Sequence, residues 1–597
     1  MHPSAHRPFE HWIRRRFSVL CRSALFAPLS IGISAPALVP FSVAPNFAAV
    51  HTRETRQFKA TFAGATSANI VWQVNGVTGG NSTVGSVTPE GLYTAPAAVP
   101  LGAAVTVTAI APGAEPLQIP VAIVAGVAFY VSGTGEDTNP GTLAEPWRTV
   151  QHAANVAIAG DVVYVRGGTY HESVNLPHSG SAEAGAIVFQ SYPGELAILG
   201  GAGVPCCGDS IHGLVNITGD ESYLIIEGFE LQNYTSDNIN NEPAGIYVSG
   251  SGTYLRILNN TVHGITESAG PKGNAHGIGF YGTSTTPLSN ITISGNNVYG
   301  MVTGNSETIT LDGNITGFTI TGNDVHDNNN IGIDATGFYG TGPSGHDQAR
   351  NGVISGNTVY NITSIENPAY NGYGADGIYC DGCTLVQIER NLVYNCDLNI
   401  EAASENQGRD TSYVTIDNNV VYGGNLAGIS FGGYAASVGG SDHIVVVNNT
   451  LYNNNRTGGG GDLQIQYHAS ANLLENNIVY PGGAGVVING IVDSTSSPVT
   501  ADYNIYYTKA PPQWIYQGKT YSAFAAYQAA SGQEKHSRFE RPYLIDISGP
   551  YNLDLEAISP AWGAGNFALG AADYGAFDFA GDPRTTGAAI NIGAYQK

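Results

Sequence analysis

Between about Phe129 and Ile491 short apolar runs alternate with polar turns, and one polar position returns in every cycle. An Asn stands two residues before a Val or Leu that is followed by Tyr or His, at Asn260, Asn296, Asn323, Asn357, Asn391, Asn419, Asn449 and Asn477. Successive copies lie 36, 27, 34, 34, 28, 30 and 28 residues apart. A fixed anchor with variable spacing predicts a repeated core strand joined by loops of varying length. The units hold several period-2 segments and no amphipathic helical period, which predicts the coils of a parallel β-helix. An Asn at the same bend of every coil can satisfy buried backbone groups and its neighbouring amides, so these residues are expected to form a structural ladder.

Each unit also carries an apolar anchor in a Gly-Ile strand: Ile246, Ile278, Ile309, Ile333, Ile378, Ile400, Ile429 and, by analogy, Leu463. Side chains alternate along a strand, so the residues one and three after each anchor are expected to face out of the solenoid. The first outward column reads Tyr247, Gly279, Thr310, Asp334, Tyr379, Glu401, Ser430, Gln464. The second reads Ser249, Tyr281, Asp312, Thr336, Asp381, Ala403, Gly432, Gln466. Asp312, Asp334, Asp381 and Glu401 thereby fall on four successive coils of one face. Asp376 and Glu405 lie at the ends of two of those strands, and His276 and His468 at the ends of flanking ones.

Upstream, two alternating segments, Asn69 to Val74 and Ala104 to Ala109, are separated by Gly- and Pro-containing turns, which predicts a small β-sandwich. Its strings VWQVNGVTGG and GLYTAPAAVP resemble bacterial immunoglobulin-like domains. The expected organisation is a signal peptide and linker over 1–45, the Ig-like domain over 46–126, the β-helix over 127–500 and its C-terminal end and cap over 501–597. The signal reading rests on Arg14, Arg15 and Arg16, followed by an apolar stretch from Phe17 to about Ala37 with a possible cleavage site at Ala35 to Ala37. The mature protein is expected to be secreted or held at a bacterial cell surface, as a monomer without a membrane span.

Composition narrows the function. The 597 residues hold 23 Lys and Arg against 47 Asp and Glu, a formal charge of −24, and only 12% are charged, against roughly 25% in an average globular protein. Such a balance repels phosphate backbones, so a nucleic-acid partner is not expected. Four acids on one face of so sparsely charged a chain depart from uniform scatter. Like charges so close raise one another's pKa and supply a proton donor beside a carboxylate base. Two other readings use the same residues. The acids keep a sheet face soluble, or Asp312 and Asp334 help to hold a Ca²⁺ ion; otherwise no cofactor is expected.

The stretch from Phe129 to Val174, beginning FYVSGTGEDTNPG, resembles the opening of right-handed parallel β-helix carbohydrate enzymes of the pectate-lyase-like class, with Pro146 to Ala157 as the cap helix. The run GIYCDGCTLVQIERNLVYNCDLNIEAASEN, Gly377 to Asn406, resembles the active-site repeat of β-helix β-xylosidases. That resemblance implies a retaining glycoside hydrolase with Asp381 as nucleophile and Glu401 as general acid/base. Cys380 and Gly382 depart from the bulkier residues of that family. Tyr247, Tyr281 and Tyr379 are candidates to stack on sugar rings, and His276, Asp376, Glu405 and His468 to bind a polysaccharide or oligosaccharide substrate. The fold resemblance also admits a Ca²⁺-dependent lyase or epimerase acting on uronates, against which stands the shortage of lysine: Lys272 is alone between residues 60 and 508. A third reading is a non-catalytic glycan-binding or adhesion protein. Cys380, Cys383 and Cys396 lack the fourth ligand of a structural zinc site and are expected as buried thiols. Gly458 to Gly461 is a turn.

Overall fold

The computed structural model describes residues 41–62, 69–112, 114–370, 372–483, 485–490, 499–584 and 589–596. The expected signal segment lies outside them. From Ala128 onward the chain winds into a right-handed parallel β-helix whose third wall is a 13-stranded parallel sheet, so the solenoid has about 13 turns.

Burial of the anchors sets the register. Ile246, Ile278, Ile309, Ile333, Ile378, Ile400, Ile429 and Leu463 pair one with the next along the stack, and every one is fully buried. Slipping one strand by a residue would drive its outward polar set into this core.

The eight asparagines form the expected ladder, and Asn504 extends it. Each Nδ2 donates to Oδ1 of the next coil's Asn, at 2.9 to 3.1 Å, from Asn260 through Asn477. The same Oδ1 accepts the backbone N–H of the preceding Asn. The residue ahead of each ladder Asn is in the left-handed region, from Asn259 (φ 54°) to Tyr503 (φ 56°), which explains the Asn and Gly usually found there. On the outside of the same wall, His263, Tyr299, His326, Tyr360, Tyr394 and Tyr422 stack with centroids 4.8 to 5.0 Å apart, the spacing of the coils.

The ladder ends on an acid. Asn504 Nδ2 donates to Glu534 Oε2 at 3.2 Å, and Tyr506 and Ser537 hydroxyls donate to the same carboxyl. Burial, offset in part by these donors, pushes Glu534 up to about 7 from 4.5. A raised carboxyl pKa means the folded state binds the proton more tightly, so this contribution is complete below about pH 4.5 and is lost as pH rises through 7. It amounts to about 3 kcal/mol. The thermal midpoint of Glu534→Gln is accordingly expected to fall less than that of the wild type between pH 5 and 8, as followed by circular dichroism.

The N-terminal end of the solenoid is closed by the helix Val150–Val156, shorter than expected because Thr149 is its N-cap. Val150, Ala153 and Ala154 are buried against the first coil. Ahead of it, a five-stranded and a four-stranded sheet enclose a core that includes Phe58, Trp72, Tyr93 and Val107. The strand Phe41–Ala44 pairs with Lys59–Phe62. This unit lies along the solenoid, with Phe47 and Val124 packed on Val188, Ile225 and Leu258 and with Glu115 bonded to Arg390.

The segment expected as C-terminal end and cap, 501–597, has two parts. The far end is covered by the helix Phe524–Ser531, whose Tyr527 packs on Trp514. The last residues instead run back along the third wall, where Ile592, Ala594 and Tyr595 pack with Val420, Ile478 and Ile505. Arg584 is fully buried there, bonded to Asn418 Oδ1 and the Gly593 carbonyl. Among the described residues no helix is long and apolar enough to cross a membrane.

Candidate active site

Strand pairing stacks the acid-bearing positions of the two columns from coil to coil. Thr310 pairs with Asp334, Asp334 with Tyr379, Tyr379 with Glu401, and Glu401 with Ser430. Tyr281 pairs with Asp312, Thr336 with Asp381, and Asp381 with Ala403. Asp381 therefore sits diagonally between Asp334 on the coil before and Glu401 on the coil after, with Cα separations of about 8 Å to each from strand rise and rung spacing. Gly382 ends the strand at φ +79°, where a Cβ would meet the Gly337 carbonyl at 2.8 Å, so the bulkier residue expected from the resemblance does not fit.

The face is not the open exterior that the pattern suggested. Asp334, Asp376, Asp381 and Glu401 are 2%, 4%, 3% and 7% exposed, and Tyr379 only 3%. Loops between coils roof it: the Tyr339 hydroxyl donates to Asp381 Oδ2, and Tyr370 and Tyr434 feel the charge of Glu405. A wholly solvated, solubilising face is thereby ruled out for these acids. Tyr379 is enclosed among carboxylates and offers no open platform for stacking.

Burial sets the electrostatics. Desolvation raises Asp381 well above the usual carboxylate range, and Glu405 adds to this, while the Tyr339 hydroxyl and the Glu405 amide, 3.1 Å from Oδ1, oppose it. Asp334 is raised by burial and then by Asp381, and Asp376 by burial and then by Glu401. Each of these two keeps a buried oxygen, Oδ1, with no partner. Glu401 is pushed up to about 7 by burial, against the Ser430 hydroxyl that donates to Oε1 at 2.8 Å; Asp376 and Gln466 also bond to it. Asp381 thus has a donor on each oxygen, which favours its ionised form against that burial.

Three coils before Asp381, His276 is buried with Tyr281 hydroxyl 3.0 Å from Nε2 and with Glu242 and Glu307 at 3.8 and 3.9 Å. Burial disfavours the charged ring, but the two glutamates outweigh it and raise its pKa. Tyr247 leans on Tyr281, centroids 5.7 Å apart. His468 lies at a turn, with Nε2 3.1 Å from the Ala436 carbonyl and its charge acting on Asp410. Asp312 is held by Thr336 and Thr341 hydroxyls. A Ca²⁺ ion takes six to eight oxygens around one point. Among the described residues no three His, Cys, Asp or Glu side chains are grouped so as to hold a metal ion.

Two features escaped the sequence reading. Tyr339 lies in an aperiodic loop that gave no register. Glu307 was readable: it stands two residues before the anchor Ile309, as His276 and Asp376 stand before theirs. Of the three expected buried thiols Cys396 is one, whereas Cys380 is joined to Cys383 across Asp381 and Gly382; Cys206 is joined to Cys207.

Residues 129–321 match the family described as Pel9A-like, right handed beta helix region. The Bacillus subtilis protein YwoF, itself uncharacterised, is 37% identical over 441 residues, which cover 73% of this chain and 92% of the relative. Pectate lyase PEL9 of Emericella nidulans is 31% identical over 132 residues, or 22% of this chain and 32% of that enzyme; the chain spans about a third of its length. Among solved structures, a complex of XylC with xylose aligns over 79% of this chain and 98% of its own, at 13% identity and a TM-score of 0.44.

Proposed function

The chain belongs to the family of the Bacillus subtilis protein YwoF, and we propose that it is an exported carbohydrate-active enzyme, a glycoside hydrolase in which Asp381 is the nucleophile and Glu401 the general acid/base. The observation that carries this reading is the diagonal pair itself: an acid with a donor on each oxygen beside an acid held near neutrality, on adjacent coils of one roofed groove. Glu401 protonates the departing glycosidic oxygen while Asp381 attacks the anomeric carbon; Glu401 then takes a proton from the water that releases the sugar from Asp381. This division of labour requires one carboxyl ionised and its neighbour protonated, and burial of both carboxyls together with the two donors on Asp381 supports it.

Tyr339 is a positioning residue in this scheme. Tyr339→Phe removes a donor to the ionised form, so the acidic limb of the pH profile of kcat/KM moves to higher pH, and the rate falls roughly tenfold for one lost charge-assisted hydrogen bond. Both are read from initial rates between pH 4 and 8.

A uronate lyase is the second reading, favoured by the match to the Pel9A-like family and by the fungal pectate lyase. Against it, the strongest charges acting on Asp334, Asp376 and Asp381 are other carboxylates, which repel a uronate. Product analysis over neutral and acidic polysaccharides decides: new reducing ends without ultraviolet absorption support the hydrolase, and unsaturated products support the lyase. Binding without turnover, surviving loss of both carboxylates, supports a non-catalytic glycan-binding protein.

A further inference from the structure

We propose that the sugar unit bound beside Asp381 is an amino sugar whose free ammonium group is held by Asp334 and Asp376. This rests on the reading that Asp381 and Glu401 cleave a glycoside, and it names the class of glycan cleaved: one containing de-N-acetylated hexosamine.

The hydrolytic pair leaves Asp334 and Asp376 without a task. Neither serves solubility, because they are 2% and 4% exposed, and each keeps a buried carboxyl oxygen with no partner. Asp334 pairs across from Tyr379, two residues from Asp381 on that strand, and Asp376 begins the same strand and bonds to Glu401. A buried acceptor left without a donor is destabilising, and a ligand donor removes that cost.

The charge of the donor follows from the surroundings. Asp334 lies in the field of Asp381, Glu307, Asp312 and Glu405, and Asp376 in that of Glu401, Asp334, Glu405 and Asp397. The cations of the neighbouring loops are directed elsewhere: Arg409 lies 5.2 Å over the Phe338 ring, and Arg350 bonds Asn314 and backbone carbonyls. Lys272 is exposed. His276 is engaged with Glu242 and Glu307, so a positive charge that offsets this field comes with the ligand. An ammonium group presents three N–H donors and needs only two carboxylates, whereas the three-ligand arrangement a metal requires is not found among the described residues. A hydroxyl donates one hydrogen and brings no charge, and an N-acetyl group donates one and adds bulk.

The test uses monosaccharides, which the enzyme cannot hydrolyse. Glucosamine, glucose and N-acetylglucosamine are titrated into the wild-type full chain by calorimetry at one ionic strength. Glucosamine is expected to bind at least tenfold more tightly than either neutral sugar. In Asp334→Asn/Asp376→Asn, checked for a wild-type melting curve, that preference is expected to vanish while glucose affinity is kept. Equal or weaker binding of glucosamine, no binding of any of the three, or a preference unchanged in the variant overturns the proposal. Because the readout is binding, the two ideas fail separately. Glucosamine preference in a protein that cleaves no glycoside sinks only the hydrolase reading. Cleavage with a preference for neutral sugars sinks only this one.

Discussion

Asp381→Asn is expected to lower kcat/KM on any glycoside the protein cleaves by at least about 10³-fold, with the melting temperature preserved. The amide matches the carboxylate in shape and still accepts from Tyr339 or from the Glu405 amide, so the strand and its turn at Gly382 are undisturbed. What it lacks is a charge to form and stabilise the bond to the anomeric carbon. Glu401→Gln is expected to cost about 10²–10⁴-fold, and less on substrates whose leaving groups need no proton. The double variant is expected to be little worse than Asp381→Asn alone, because the two groups act on one bond and their effects do not add. Steady-state kinetics of the three variants, with thermal melts as the control for folding, check this. Losses below tenfold in both single variants would remove Asp381 and Glu401 from the chemistry.

The second large effect is on stability. Asn391→Ala, in the middle of the ladder, is expected to cost about 4 kcal/mol, from three or four buried groups each worth roughly 1–3 kcal/mol when orphaned. The Asn391 side chain accepts from the Asn357 backbone and Nδ2 and donates to the Ile354 carbonyl and to Asn419 Oδ1. No water reaches these partners, since Asn357, Asn391 and Asn419 are at most 1% exposed. A solenoid's coils are stabilised by their neighbours, so the deficit is not confined to one coil. Thermal unfolding by circular dichroism is expected to show a fall of several degrees, with Asn391→Gln failing to restore it because the longer side chain misses the next rung. A substitution in the partly buried outer stack, such as Tyr360→Ala, is expected to cost less, because that ring is already partly exposed to water.

The sequence made the solenoid legible because two periodicities coincide. The apolar anchors repeat at the centre of a strand, where a shift of one residue inverts inside and outside, and the Asn repeats at a bend whose backbone groups have no other partner. Asn504 escaped the pattern because Tyr506 takes the place of the usual Val, turning inward to Glu534. The columns carrying Asp381 and Glu401 followed from the same period. What could not be read was depth: whether a column faces water depends on loops such as Phe338 to Asp347, which have no period and so no register. The residues that roof the groove, Tyr339 first among them, come from those loops. The same limit applies to the last residues, which run back along a wall, where Arg584 bonds Asn418, 166 residues earlier, and Ile592 packs in one cluster with Val420 and Ile478. Cys380 and Cys383 illustrate a third case, in which spacing permits a bond but only the turn at Gly382 brings the pair together.

The most direct test of the paired roles of Asp381 and Glu401 is rescue by azide of Asp381→Ala and Glu401→Ala, with the anomeric configuration of the glycosyl azide read by nuclear magnetic resonance. Azide is expected to restore turnover in both. With Asp381→Ala it attacks the substrate directly and yields the inverted anomer; with Glu401→Ala it attacks the glycosyl-enzyme and yields the retained one. Wild-type rates in either variant without azide, or the same anomer from both, would contradict the assignment.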